Sequence, residues 1–468
     1  MDYTKEQIHK IYLKQKEYFL SNETLSIKFR KAQLKKLKTA IINNQNKITA
    51  ALGKDLGRSE VEAYLCDVGP TIMEINEYYK GIKKWSKPET HFSGLGCFPS
   101  IFTKVYKMPY GVSLIISPFN FPILLTFGVL AAAIAGGNTA MIKASSKSSE
   151  CTRVMQEIIK ENFDEKYITV IDGGHDVADY CLEEPVDKIF YTGSPKVGKH
   201  VMEMASKNLV PVTLELGGET GNWCVIRKDA DLKDAARKIA FFKICNSGQI
   251  CININQVAIA KEVAKEFVEH LKKEFIRQIG ESAHQNEEYP KLITQRAYQN
   301  IADEAEQYRK RIVFGGKGDK EKCKYDPTII YPVDIDEPIV NHEIFGPLLP
   351  IVEFNDSEVD KLLNVIARRE HGLALYLFTK NKKWAKQVMQ AQQYGGGCIN
   401  EVCVHLMVKG VPFNGTGHSG MGAYHGIWGF REFTHPSTVL MGSNKFNLSL
   451  REHPYTKKKK DLMSEFLK

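Results

Sequence analysis

From residue 112 onward the chain alternates short β-branched apolar runs with amphipathic stretches of helical period, and that alternation leaves few folds open. Runs at 112–116, 139–143, 167–171 and 188–191 read as strands, and stretches at 124–134, 149–162 and 197–205 as helices. In the second of these helices Val154, Met155, Ile158 and Ile159 share one face. Apolar strands separated by helices are the pattern of a parallel sheet covered on both faces. The pattern restarts downstream with a strand at 223–226, helices at 232–245 and 263–279, a strand at 348–354, a helix at 359–368 and a strand at 373–379. A length of 468 residues, about three times the ~150 typical of one domain, leaves room for both units. Two α/β units in tandem are expected, with the active site between them. Their expected extents are 1–84 with 109–216 for the first and 217–412 for the second. Segments 85–108 and 433–446 would bridge them, and 447–468 would form a tail.

Composition narrows the class further. The net charge of +9 is spread along a Lys-rich chain with no basic block interleaved with aromatics, so no nucleic acid partner is expected. The apolar stretch 112–137 resembles a membrane span, but Ser117, Pro118, Asn120 and Pro122 interrupt its start and Gly136-Gly137 closes it. A buried strand–turn–helix fits it better. The first residues form a charged amphipathic pattern rather than a signal peptide. The run Lys457–Lys460 is followed by no apolar anchor, so a solvated tail is expected there. Ten cysteines lie scattered without C-x-x-C or zinc spacing, which suggests free thiols in a reducing cytoplasm and no metal ligand set.

Four segments carry residues suited to chemistry. Cys251 closes Asn246-Ser247-Gly248-Gln249-Ile250-Cys251, where backbone amides at a Gly-containing turn can lower a thiol pKa. A structural cysteine fits the same segment. Glu215 sits at an apolar strand end before Gly217-Gly218, where burial would raise its pKa toward that of a general base; a salt-bridged terminus is the alternative. Asn120, between Pro118 and Pro122, is a neutral amide held by a rigid turn, as an oxyanion hole requires, or simply a turn residue. Gly193, Ser194, Val197 and Gly198 lie where a strand gives way to a helix, a place that can offer amides and a hydroxyl to phosphate or be a plain capped turn. The G-x-G-x-x-G at 415–420 has Pro412 and Gly422 around it and no clear helix behind it, so it reads as a close-approach loop rather than a dinucleotide motif.

Taken in order, SPFNFP (117–122), YTGSPKVG (191–198), LELGG (214–218), NSGQIC (246–251), HEIFGPLLP (342–350) and GHSGMGAYHG (417–426) resemble the aldehyde dehydrogenase superfamily over residues 34–441. LALYLFT (373–379) and SGMGAYHGIWGFREFTHPS (419–437) look most like its class 3 branch, whose members are dimers using NAD or NADP on aromatic and medium-to-long aliphatic aldehydes. The resemblance implies a Rossmann-type cofactor domain, an α/β catalytic domain and a small oligomerisation arm. It implies that Cys251 attacks the aldehyde, that Asn120 and the Cys251 amide hold the oxyanion, and that Glu215 activates water. It further implies that Glu343 and Phe345 hold the nicotinamide ribose, Lys143 the adenosine ribose, and Gly193 through Gly198 the pyrophosphate and adenine. A homodimer acting on a small aldehyde follows from the same likeness, with no membrane anchor. A CoA-acylating enzyme, which generally lacks the base at Glu215, and a retained fold without activity are the alternatives.

The chain departs from the family pattern at Ser146, where an acid is usual. With Lys143 and Lys147 near, NADP is expected to be tolerated beside NAD, with a preference for NADP as the stronger form of that expectation. Glu219 replaces a Lys after LELGG, and Asn414 a Gly, both near the domain crevice.

Overall fold

Strands Ile168–Ile171, Thr139–Lys143, Val112–Ile116, Lys188–Gly193 and Val212–Leu216 lie side by side in that order, all parallel. They are buried almost throughout, which is why they read as unbroken apolar runs rather than alternating ones. The strand order reverses at Val112–Ile116. That switch point opens a crevice at the carboxyl ends of the strands, where open α/β sheets bind ligands. In this computed structural model the described residues are 3–94, 97, 100–442, 444–446 and 448–466. Positions 1 and 2 of the first unit, 95, 96, 98 and 99 of the connector, 443 of the second bridging segment, and 447, 467 and 468 of the tail lie outside them.

Helices Val129–Gly136, Ser149–Asn162 and Pro195–Ser206 appear where the periodicity puts them, the first entered through a π-helical turn Leu124–Gly128. The segment 112–137 is thus a strand, a turn and a short helix. Among the described residues no helix is long and apolar enough to cross a membrane. Several helices differ from expectation: Gln295–Gln307 and Lys382–Ala391 were not expected, and His175–Glu183 stands between strands that the sequence reading placed in direct succession. It buries only Val177, Cys181 and Leu182, and the flanking Gly173-Gly174 and Pro185 imitate a loop.

The second sheet has seven strands in the order Ile312–Phe314, Thr328–Val333, Leu348–Phe354, Ile254–Ala260, Asn222–Ile226, Ala374–Phe378, Gly396–Ile399. All neighbours are parallel except the Ile312–Phe314 edge. Helices Leu232–Ile244, Ala264–Ile279 and Val359–Ala367 lie within a residue of their expected ends. A three-stranded antiparallel arm joins Glu89–Phe92, Phe102–Pro109 and Thr434–Leu440. Chain beyond 412 also returns to the first sheet: Gly420–Met421 pairs antiparallel with Val212–Leu216, Gly420 opposite Glu215. Helix Gly426–Glu432 then packs on Gly69–Trp85 and Val129–Gly136.

Candidate active site

The segment before Cys251 is bent by three successive left-handed residues: Asn246 (φ 49°), Ser247 (φ 52°) and Gly248 (φ 78°). For Asn and Ser this region is sparsely populated and persists only where surroundings over-determine it. At 248 nothing larger than glycine fits, because a Cβ would lie 2.2 Å from the Gly346 carbonyl oxygen. The turn is held from several sides. The Asn246 side-chain amide donates to the carbonyls of Asn120 (3.0 Å) and Gln249 (2.9 Å), and its backbone N–H donates to Glu62 Oε1 (2.7 Å). Ser247 Oγ donates to the buried Tyr289 hydroxyl (3.0 Å), while Gln249 Oε1 accepts from the Ile293 N–H (3.0 Å).

The centre of this network was not foreseen. Arg58, which the sequence reading did not single out, is buried and donates through Nε to Asn246 Oδ1 (3.1 Å). Its Nη2 donates to the Asn120 carbonyl (2.5 Å), and its Nη1 pairs with the buried Asp67 carboxylate. Asp67 Oδ1 accepts the N–H groups of Ile123 (3.0 Å) and Leu124 (2.8 Å). One guanidinium therefore ties the turn before Cys251 to the turn carrying Asn120. The Asn120 amide itself donates to the Gln249 carbonyl at 3.1 Å.

Cys251, partly buried, points into the crevice with Glu215 and Glu343. Burial first, then the nearby Glu343 and Glu215 carboxylates, push its thiol up to about 12, against the opposing pull of the Ile252 and Cys251 amides. This corrects the expectation from the turn: the amides act in the anticipated direction but are outweighed. Glu215 behaves as anticipated. It is fully enclosed, neither oxygen has a hydrogen-bond partner among the described residues, and burial followed by Glu432 holds its carboxyl well above the usual range. Burial likewise raises Glu343 to about 8, with His342 opposing. Its carboxylate lies against Gly217, where a Cβ would meet Glu343 Oε1 at 2.0 Å.

These residues line a cavity of about 390 Å³ together with Asn120, Lys143, Gly193, Ser194, Val197 and Phe345. The exception among the expected site residues is Gly198. It faces Leu216, which a Cβ there would approach to 2.9 Å, so it serves helix–strand packing instead of lining the crevice. Ser194 caps the helix Pro195–Ser206, and the Lys143 ammonium donates to the carbonyls of Ala144 and Gly173, both at 2.7 Å. Phe345 adopts a left-handed backbone (φ 50°) and meets Phe119 edge-on at 5.9 Å. Its loop is anchored by Asn255, which accepts from the Ile344 N–H (2.8 Å) and donates to the His342 carbonyl (3.0 Å). Ser145, Ser146 and Lys147 form the far wall.

The crevice suits a polar, elongated ligand. Ser117 Oγ and Thr192 Oγ1, like the oxygens of Glu215, are buried without partners among the described residues, and all three side chains line it. Buried polar groups of this kind are ordinarily satisfied, so a ligand that hydrogen-bonds them is implied. Neither hydroxyl carried a sequence signal. The 415–420 glycines form a tight turn and the short strand against Glu215, as the close-approach reading anticipated. Glu219 pairs with Lys199 (2.8 Å) and His418 (3.0 Å), away from Cys251.

Comparison with known proteins places the chain in a family. The model of the aldehyde dehydrogenase family matches residues 1–439. A 4,4'-diaponeurosporen-aldehyde dehydrogenase of Staphylococcus aureus is 37% identical over 453 residues, covering 96% of this chain and 97% of its own. A dimeric NADP-preferring aldehyde dehydrogenase of Rattus norvegicus is 35% identical, covering 92% and 93%. The solved structure of Staphylococcus aureus AldH in a substrate-bound state superposes with a TM-score of 0.95 at 36% identity, covering 98% of this chain and 99% of that one.

Proposed function

The chain belongs to the aldehyde dehydrogenase family of NAD(P)-dependent enzymes, and we propose that it oxidises aldehydes to carboxylic acids through a covalent intermediate on Cys251. The observation that carries this reading is the meeting of one thiol, one amide donor, one buried carboxyl and one partly buried carboxyl at the switch-point crevice. Cys251 Sγ attacks the carbonyl carbon to give a thiohemiacetal. Its oxyanion is held by the second N–H of the Asn120 amide, the first being occupied by Gln249, and by the Cys251 backbone N–H. Bound NAD(P) supplies the hydride acceptor. Loss of hydride leaves a thioester on Cys251, which water hydrolyses to the acid and the free thiol.

Glu215 and Glu343 are the carboxyl groups among the described lining residues, so the proton of the Cys251 thiol has two acceptors within the crevice. Glu215, whose carboxyl is raised by burial and then by Glu432, is assigned the base that activates water. Lys143, Gly193, Ser194, Val197, Glu343 and Phe345 would hold the cofactor, with Gly198 acting only by packing. Ser146 and Lys147 at the wall support use of NADP beside NAD, since the usual carboxylate that would repel a 2′-phosphate is missing. Medium or long aliphatic and aromatic aldehydes are the assigned substrate class.

A homodimer in the cytoplasm completes the reading. The exposed apolar side chains Phe92, Phe102, Val439 and Leu440 lie along the three-stranded arm, where a second copy would cover them. Light scattering should give twice the chain mass.

The test follows absorbance of reduced nicotinamide with benzaldehyde and hexanal, each with NAD and with NADP, beside Cys251→Ala. Turnover without CoA that vanishes in the variant is expected. Turnover that requires CoA, or that survives in Cys251→Ala, overturns the mechanism.

A further inference from the structure

A second thiol cluster lies outside the crevice, on the other side of the turn that presents Cys251. Glu62 and Cys66 stand four residues apart in one continuous helical stretch, so their side chains share a face. Cys245 faces them from the end of helix Leu232–Ile244. Cys66 Sγ and Cys245 Sγ are 3.5 Å apart, Cys245 Sγ lies 3.7 Å from Glu62 Oε1, and all three ligand atoms lie within 4.8 Å of one another.

We infer that Glu62, Cys66 and Cys245 form a binding site for a thiophilic divalent cation of the zinc type. A tetrahedral ion with bonds of about 2.3 Å to sulfur and about 2.0 Å to carboxylate oxygen needs roughly 3.8 Å between sulfurs and roughly 3.5 Å from sulfur to oxygen. The Cys66–Cys245 and Cys245–Glu62 separations lie within a few tenths of an ångström of these, and Cys66 Sγ is within 4.8 Å of the Glu62 carboxylate. Charge fits as well. Two thiolates and a carboxylate around a dication sum to −1, and the Arg58 guanidinium lies 3.8 Å from Glu62 Oε1. Arg58 also faces the Asp67 carboxylate, so its charge is shared between the two acids. Glu62 is already oriented, because its Oε1 accepts the Asn246 N–H at 2.7 Å, the kind of outer contact that fixes a metal ligand. Cys245 is buried, whereas Glu62 and Cys66 are partly open, leaving an entry path and room for a water as fourth ligand. Two of the ligands belong to the N-terminal helices and the third comes 179 residues later, so linear spacing could not expose the set.

Cobalt(II) titration of the full-length protein, reduced with a phosphine and desalted, reads the site directly. One equivalent should produce the near-ultraviolet thiolate-to-cobalt band and visible bands of a tetrahedral ion, and zinc should abolish them. Cys66→Ser, on the partly exposed helix face, should lose about half of the thiolate band's intensity, one of two thiolates being removed, and bind at least about tenfold more weakly, as should Cys245→Ser if it folds. Cys251→Ala should keep both band and affinity. A band of undiminished intensity and affinity in Cys66→Ser, its disappearance in Cys251→Ala, or its failure to form in the reduced wild type overturns the assignment.

Discussion

Glu343→Gln separates the stability of the fold from its proposed use. The Glu343 carboxyl has a pKa of about 8 in the fold against 4.5 ordinarily, because burial disfavours its charge. Between those two values the folded protein binds more protons than the unfolded chain, so stability falls as pH rises, by up to about 1.36 kcal/mol per pH unit. At pH 7 the penalty amounts to about 3 kcal/mol, and above pH 8 it levels near about 5 kcal/mol. Glutamine has the same shape and no charge, so it removes the penalty and with it this share of the pH dependence. At about 2.1 cal/mol/K per residue, a chain of 468 residues has an unfolding entropy of about 1 kcal/mol/K. The variant should therefore melt about 3 °C above wild type at pH 7 and coincide with it near pH 4.5. Calorimetric melts of the cofactor-free proteins from about pH 5 to about pH 8.5 would follow the divergence. The KM for cofactor should move the opposite way and rise, since Glu343 is assigned a ribose contact. Parallel wild-type and variant melting curves across that range would refute the electrostatic reasoning.

Gly248→Ala adds a Cβ 2.2 Å from the Gly346 carbonyl at a residue with φ 78°, and should lower both kcat and stability, by about 3 kcal/mol or more; a wild-type Tm and turnover would contradict the geometry of the turn. Arg58→Met strands the buried Asp67 carboxylate and frees the Asn120 peptide. A loss of about 3–5 kcal/mol is expected, with Arg58→Met/Asp67→Asn recovering stability but not kcat, as urea melts and steady-state kinetics would reveal. Ser146→Glu restores a carboxylate at the crevice wall and should shift the kcat/KM ratio toward NAD by about 1–3 kcal/mol, or about 5- to 150-fold; an unchanged ratio would dismiss Ser146 as a determinant.

How much of this was legible in the sequence follows from which interactions are local. Alternation of apolar strands and helices, and helix ends at 149–162 or 264–279, arise from short-range pattern and were readable. Helix His175–Glu183 was not, because a nine-residue element with three buried side chains has too little periodicity to outweigh its flanking glycines and proline. The site divides the same way. Cys251, Glu215 and Asn120 each sit in a distinctive local segment, and the crevice brings them together. Arg58 acts through contacts made across 62 and 188 positions of chain and Asp67 through contacts across 56 and 57, for which no window of sequence carries a signal. Gly198 illustrates the converse: a glycine in a phosphate-type turn satisfied the local pattern, yet the helix turns it onto Leu216.

The energetics of the crevice run against those of the fold around it. Outside the crevice some buried charges are paired, as Arg58 with Asp67 or Arg227 with Asp356, and others, such as Arg30 and Lys243, are met by backbone carbonyls. In the crevice Glu215 has no hydrogen-bond partner at either oxygen among the described residues, and burial raises Glu343 with His342 opposing. Pairing either acid with a cation would add stability and hold the carboxyl ionised, but it would also lower its basicity and occupy the oxygens that must meet water or ligand. Left unpaired, the Glu215 carboxyl stays available to take up and release a proton. The cost is borne by the packed sheets on either side, because a left-handed turn and an enclosed acid can persist only where the surroundings allow no alternative.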